Sequence, residues 1–364
     1  MTSETAKSTK TWNKTALTDC LGIDYPLIQG PLGGLLSQRL AALVSNFGGL
    51  GSFGAHGFSP EVIKDIIAEI RSLTDKPFAM NLWVSMEDEG AFTSDEAAFK
   101  RSLAPLAVHI KSLGGQLITY KAYTPNDFEA QVRVLLDEKV PVFSFICGIP
   151  AKEILDECRI KGIKTMGAAT TPEEAVALEQ AGVDVIVASG FEAGGHRGSF
   201  LQSAEESLMG TFSLIPQVAD RVKLPLVAAG GIADARGIKA AFALGADGVQ
   251  MGTVFLPTEE SGANPYYRAT LLSSKPHLTA LTRGFTGRLA RGLSNQLLEE
   301  LNRPGIEILP YPLQRGLVRN LTALAEKAGR TEFMQMWAGQ SVNLITCKDA
   351  KTLLRNLLSE LSTL

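Results

Sequence analysis

Four cysteines in 364 residues are too few for a disulfide scaffold. Cys20, Cys147, Cys158 and Cys347 also lack any CxxC or Cys/His spacing, which excludes a zinc finger or ribbon. We expect reduced, mostly buried thiols in a cytoplasmic protein. A charge excess is missing as well, since 35 Lys and Arg face 38 Asp and Glu for a net −3. That leaves no electrostatic footprint for nucleic acid or an acidic membrane surface. No apolar run approaches the ~18 residues of a transmembrane helix. The stretch 1–15 has no apolar core behind it and no arginine, so it reads as a frayed tail rather than a targeting peptide. Histidine is scarce too, with four in the chain, and each one's surroundings are therefore worth reading.

What is present is alternation. Short β-branched runs fall at Leu27–Gln29, Gly49–Phe53, Phe78–Leu82, Val142–Cys147, Lys164–Ala168, Val185–Ala188, Leu226–Ala229 and Gly248–Met251. Amphipathic helical runs lie between them, among them Ser37–Asn46, Pro60–Leu73, Ala151–Lys161, Pro172–Ala181, Leu214–Arg221 and Ala235–Leu244. Several open on a Ser, Thr or Asp cap or with a proline in the first turn, as at Ser59-Pro60 and Thr171-Pro172. Eight strands alternating with helices predict a (β/α)8 TIM barrel. Gln116–Tyr120 would be a ninth strand, and we place it inside a long excursion over 84–140. A doubly wound sheet is disfavoured because no GxGxxG turn follows a strand. From 257 to 334 prolines punctuate a helical and loop-like excursion without strand periodicity. The division is a barrel over 1–256, a capping excursion over 257–334, and a C-terminal segment, 335–364, whose helix Lys351–Leu361 returns to the barrel.

The predicted C-terminal face gathers the chemistry. After Val185–Ala188 come Ser189, Gly190, Gly194 and Gly195, a turn that delivers His196 and Arg197 past the strand end. A glycine-rich turn suits a ligand approaching the backbone. Gly230 and Gly231 follow the next strand and lead into a helix, and Gly252 and Thr253 follow the last. Bare N–H groups, a helix dipole and a hydroxyl would cradle a phosphate there. Gln29, Asn81 and Gln250 are amides in apolar strands and need partners. A flavin ring would supply them, as would nicotinamide mononucleotide-like or sugar phosphate ligands.

Arg288 and Arg291, about three apart, would share a helical face and offer Arg288 to a substrate carboxylate. Tyr266, Tyr267 and Tyr311 could line the mouth, and Tyr311 is taken as a substrate contact. Arg197 reads as an anion holder or a salt-bridged loop arginine. His56, His109 and His277 read as surface or structural, and Asp24, Asp184 and Asp247 as ordinary carboxylates. Glu192 and His196 sit in a glycine turn rather than on a helix, so no metal site is expected.

The segments Ile28–Gly34, Ala41–Gly51, Gly190–Ser199 (GFEAGGHRGS), Ala228–Asp234 (AAGGIAD), Gln250–Thr253 (QMGT), Gly284–Gly292 (GFTGRLARG) and Trp337–Ser341 (WAGQS) together resemble nitronate monooxygenase, formerly 2-nitropropane dioxygenase. The resemblance runs from about residue 20 to about residue 345. FMN-dependent enoyl reductases carry a similar glycine–histidine turn, and the later motifs favour the monooxygenase. The resemblance implies an FMN-binding barrel that oxidises small anionic nitronates, such as propionate 3-nitronate, with O2. It implies FMN contacts at Asn81, Gly194, Gly231, Gln250, Met251, Gly252 and Thr253, and a catalytic His196. Ser189 departs from the Gln of many members. Beside His196, a neutral imidazole would take an α-proton and a protonated one would hold the anion. The alternatives are an NADH-dependent FMN reductase of quinones or enoyl thioesters, and a non-catalytic flavin binder. A monomer or homodimer is expected.

Overall fold

The computed structural model describes residues 12–85, 88–123, 127–275 and 277–362. The expected frayed tail, as far as residue 11, and Pro276 lie outside the described residues. The strands are β1 Leu27–Gln29, β2 Gly51–Gly54, β3 Phe78–Trp83, β4 Val142–Ile146, β5 Lys164–Ala169, β6 Val185–Ser189, β7 Gly195–His196, β8 Leu226–Ala229, β9 Gly248–Met251, β10 Thr279–Thr282 and β11 Ala290–Leu293. Eight of them pair in parallel in the order β1-β9-β8-β6-β5-β4-β3-β2. Leu50 N–H donates to Leu27 O and Gln29 N–H to Leu50 O, both at 2.9 Å, and bring β1 back to β2. The result is the expected (β/α)8 barrel.

Local chemistry explains the helices. Ser59 and Thr171 accept the N–H groups of Val62 and Glu174 ahead of helices that begin with proline. Helices Lys152–Lys161 and Pro172–Ala181 stop at Gly162 and Gly182, both left-handed. Strand side chains are buried on both faces. One face fills the barrel interior with Ile28, Ala79, Val142, Met166, Val185 and Val227, closed from below by Leu17 and Leu21. The other packs on the surrounding helices. That double burial is why the strands read as apolar runs rather than alternating ones.

Gln116–Tyr120 forms no strand; the 84–140 excursion contains helices Glu96–Ser112 and Phe128–Asp137. The region after β9 needs correcting. It holds a hairpin, β10 with β11, and β11 pairs antiparallel with β7 in the register Ala290↔His196 and Arg291↔Gly195. Four-residue strands are too short to show alternation, and β7 lies far back in the sequence, so no local signal marked them. A long helix, Leu313–Ala328, follows. The final helix, Ala350–Leu361, buries Leu353, Leu354, Leu357 and Leu361 and packs on helices Gln38–Asn46 and Ala235–Ala243.

Candidate active site

His196 is a strand residue, pinned at the barrel mouth by β11. Aromatic rings hold its imidazole, with centroids at 4.7 Å to Trp83, 5.0 Å to Trp337 and 6.1 Å to Tyr311. Its Nε2 lies 2.8 Å from Thr286 Oγ1, and that hydroxyl is 3.4 Å from the Arg288 carbonyl. With the Thr286 proton on the carbonyl, its oxygen accepts Nε2–H, which leaves Nδ1 as the basic nitrogen; the tautomer is assigned from this network. Burial, and then the positive charges of Arg315 and Arg288, push the imidazole down to about 3. The same burial favours the neutral imidazole over the imidazolium.

A cavity of about 640 Å³ opens beside it, within the usual range for cofactor sites. Ser189, Gly194, Gly195, Gly230, Gly231 and His196 line one side, and Asn81, Gln250, Gly252 and Thr253 also face it. Gly231 has φ +72, a conformation glycine adopts at little cost. A side chain at Gly194 would place Cβ 2.6 Å from the Ala338 carbonyl carbon, so the Trp337–Gly339 segment can close down only on glycine. Gly339 N–H donates to Thr253 Oγ1 at 2.9 Å, joining that segment to the cradle. In front of Gly252 there is nothing within 4 Å of where a Cβ would stand. The helix dipole expected behind Gly231 is already engaged, because Asp234 accepts the N–H groups of Arg236 and Gly237. The open backbone on this side of the cavity is thus supplied by the turns themselves.

Other expected contacts are placed elsewhere. Gln29 is fully buried, accepts Ser52 N–H at 3.0 Å and donates to Gly30 O, so both ends of its amide are used inside the barrel wall. The Met251 side chain is in the core. Asn81 donates to Ser144 Oγ at 3.0 Å while lining the cavity.

The arginines also differ from expectation. Arg288 and Arg291 lie at and beside strand β11, so they share no helical face. Arg288 bonds Asp88 at 2.7 Å and Ser85 at 2.8 and 2.9 Å, with its guanidinium 4.8 Å from the Tyr311 ring. Arg291 donates to Phe191 O and Thr279 Oγ1. Arg197 is buried and ties the carbonyls of Thr170, Ser189 and Ser207 together; burial lowers it to about 10. Tyr311 is buried behind Trp83, at 5.3 Å between centroids. Tyr267 lines the cavity and donates to Trp337 O, while Tyr266 is half exposed. His56, expected at the surface or in a structural place, is buried on the cavity wall and stacked on Trp83 at 4.1 Å. His109 instead bonds Glu300 at 2.6 Å.

Trp83, Thr286, Trp337 and Arg315 meet His196 or the cavity without having been singled out as contacts. Thr286 and Trp337 stand inside quoted motifs, but neither motif says which side chain touches His196. Among the described residues no group of three His, Cys, Asp or Glu could hold a metal ion, and no helix is long and apolar enough to cross a membrane. All four cysteines are free.

The family model for nitronate monooxygenase matches residues 14–360. A probable nitronate monooxygenase of Staphylococcus aureus (strain Newman) is 38% identical over 352 residues, covering 96% of this chain and 98% of the relative. A solved structure of nitroalkane oxidase from Streptomyces ansochromogenes superposes with a TM-score of 0.86 at 36% identity, over 96% of this chain and 98% of that one. FabK from Thermotoga maritima superposes at 0.73 with 30% identity, over 96% of each chain.

Proposed function

We propose that this chain, which belongs to the nitronate monooxygenase family, binds FMN in the mouth cavity and oxidises alkyl nitronates such as propionate 3-nitronate with O2, giving a carbonyl compound, nitrite and reduced oxygen. One observation carries the reading: a neutral, ring-held His196 opens on the same cavity as the Gly231 and Thr253 turns. The residues fit the cofactor. Gly230, Gly231, Gly252 and Thr253 would hold its phosphate through backbone N–H groups and one hydroxyl, and Asn81 and Gln250 would hold the ring system through amides. FMN, when bound, supplies the electron transfer between the carbon acid and O2.

The chain's own work is orientation and proton handling. Trp83 and Trp337 fix the plane of His196. Nδ1 takes the α-proton of a neutral nitroalkane, and Thr286 keeps Nε2–H occupied so that Nδ1 stays basic. Thr286→Val is expected to lower kcat for neutral nitroalkanes by roughly tenfold, about the worth of one hydrogen bond to the imidazole, with a smaller loss for preformed nitronates. Equal losses on both substrates would assign Thr286 to folding alone.

The test of function is O2 uptake and nitrite release with propionate 3-nitronate, beside anaerobic NADH oxidation with and without quinone. Nitrite release that needs no NADH is the expected result. Rapid NADH bleaching of the flavin with no nitrite would replace the proposal by the reductase reading, which the likeness to FabK keeps in the comparison.

A further inference from the structure

The strand that carries His196 is a weak mount for a catalytic ring. β7 is two residues long, stands at the edge of the sheet β10-β11-β7, and has Gly194, Gly195 and Gly198 in and around it. Among the described residues its ladder is to β11 alone, and Gly195 has φ +82. Glycine leaves the backbone free to turn, so the direction of His196 has to be set from outside the ladder. We propose that Arg197, joined to the buried carboxylate of Glu174 through the Thr170 peptide, sets it: Arg197 is a positioning residue for proton transfer at His196. This rests on the reading of His196 as the proton acceptor of a nitroalkane-oxidising site.

Alternation along the chain supplies the geometry, because successive residues of an extended segment point to opposite sides. His196 and Gly198 line the mouth cavity, while Arg197 and Ser199 line a second cavity of about 300 Å³. The facing segment divides in the same way, with Ile146 on the mouth cavity and Cys147 on the other. Cys147 N–H donates to Gly198 O at 3.3 Å and joins the two segments. The wall between the cavities is thus one backbone thick here, with the imidazole on one side and the guanidinium on the other. To turn the ring out of the mouth, the chain would have to turn the guanidinium out of its seat.

That seat is closely specified. Arg197 is 8% exposed. Its Nη2 donates to Thr170 O at 3.0 Å and to Ser207 O, its Nε to Ser207 O at 3.1 Å, and its Nη1 to Ser189 O. The Arg197 backbone N–H donates to Leu289 O at 2.9 Å, just ahead of β11. Thr170 follows β5 and Ser189 ends β6, so one side chain ties two barrel strands to the strand that carries the histidine. Glu174, in the first turn of helix Pro172–Ala181, is fully buried. Its carboxylate accepts Thr170 N–H and Oγ1–H at 2.6 Å each, Phe200 N–H at 2.5 Å and Leu201 N–H at 3.1 Å. Glu174 therefore grips the chain just past Arg197, and its charge opposes the effect of burial on the guanidinium. Buried charges are weak support for stability. What a planar guanidinium adds is direction, since a fork shared among several carbonyls has one orientation.

The test compares nitroethane with ethyl nitronate on FMN-loaded protein, and follows the His196 ring by NMR of histidine-labelled, cofactor-free protein. Arg197→Met is expected to lower kcat on nitroethane by about 10- to 100-fold, the range for a misplaced catalytic group, with KM little changed and a smaller loss on the nitronate. In the native protein Nε2–H of His196 is held on Thr286, so its signal, assigned by its disappearance in His196→Asn, should exchange slowly with water. In Arg197→Met it should exchange at least about tenfold faster, as a locally opened hydrogen bond does. Arg197→Lys keeps the charge without the fork and should lose about three- to tenfold on nitroethane, the worth of one hydrogen bond. That variant decides the matter if Arg197→Met fails to fold. Poorer folding alone would lower both substrates alike and leave the ring signal of the folded protein unchanged, and that result overturns the positioning role. Faster ring exchange in the variants of a protein whose native form turns over the nitronate but not nitroethane upholds the positioning role and removes the proton-acceptor reading.

Discussion

His196→Asn should cut turnover of neutral nitroalkanes by about 10²- to 10⁴-fold, the usual contribution of a positioned general base. The flavin should stay bound. The prediction follows from three features of the site. His196 is neutral because burial and two nearby guanidinium groups oppose its protonation; its ring is fixed by Trp83 and Trp337; and Thr286 occupies Nε2. What remains is an unprotonated Nδ1 held at the mouth of the barrel. Preformed nitronates have already lost the α-proton, so they should lose only about tenfold or less from the same substitution, through orientation. Steady-state kinetics on nitroethane and ethyl nitronate, with flavin content checked by absorbance, separates these outcomes. Equal losses on both substrates would mean that His196 holds the anion rather than takes the proton.

The second large effect concerns the cofactor. Gly252→Val should weaken FMN binding by at least about 100-fold while the barrel stays folded, because a nearby side chain would occupy the phosphate's space and cover the N–H groups that hold it. The backbone at Gly252 has φ −115 and ψ −60, away from the left-handed region, and a Cβ there meets no protein atom within 4 Å. The substitution therefore fills the cradle without forcing the fold. Gly194→Val makes the contrast: its Cβ would press on the Ala338 backbone at 2.6 Å, so it should lower thermal stability as well as binding. Flavin fluorescence titration and thermal unfolding of the cofactor-free variants distinguish the two. Native-like FMN affinity in Gly252→Val would move the phosphate away from this turn.

The eight apolar runs, the capped helices between them and the glycines after β6, β8 and β9 were legible locally. Double burial of a parallel strand, helix capping and a positive φ each leave their mark on adjacent residues. The turns that line the cavity with His196 were legible for the same reason, since each is one strand end followed by one turn. The β10–β11 hairpin was not, because its strands are short and β11's other partner, β7, is distant in sequence. The surroundings of the arginines were hidden on the same account: Arg288 pairs with Asp88 across the fold, and Arg315 lines the cavity from a helix whose sequence shows only an ordinary polar side. Gln29 shows the converse, a polar residue whose partners are the barrel's own strands. The sequence by itself determined the barrel and the glycine turns that carry His196 to the cavity wall, because those depend on contacts between neighbours in the chain. Only the tertiary structure decided that His196 packs against Trp83 and Trp337, that its Nε2 meets Thr286 and that Arg315 rather than Arg288 lines this cavity, because burial and pairing are made by segments that meet only after the chain has folded.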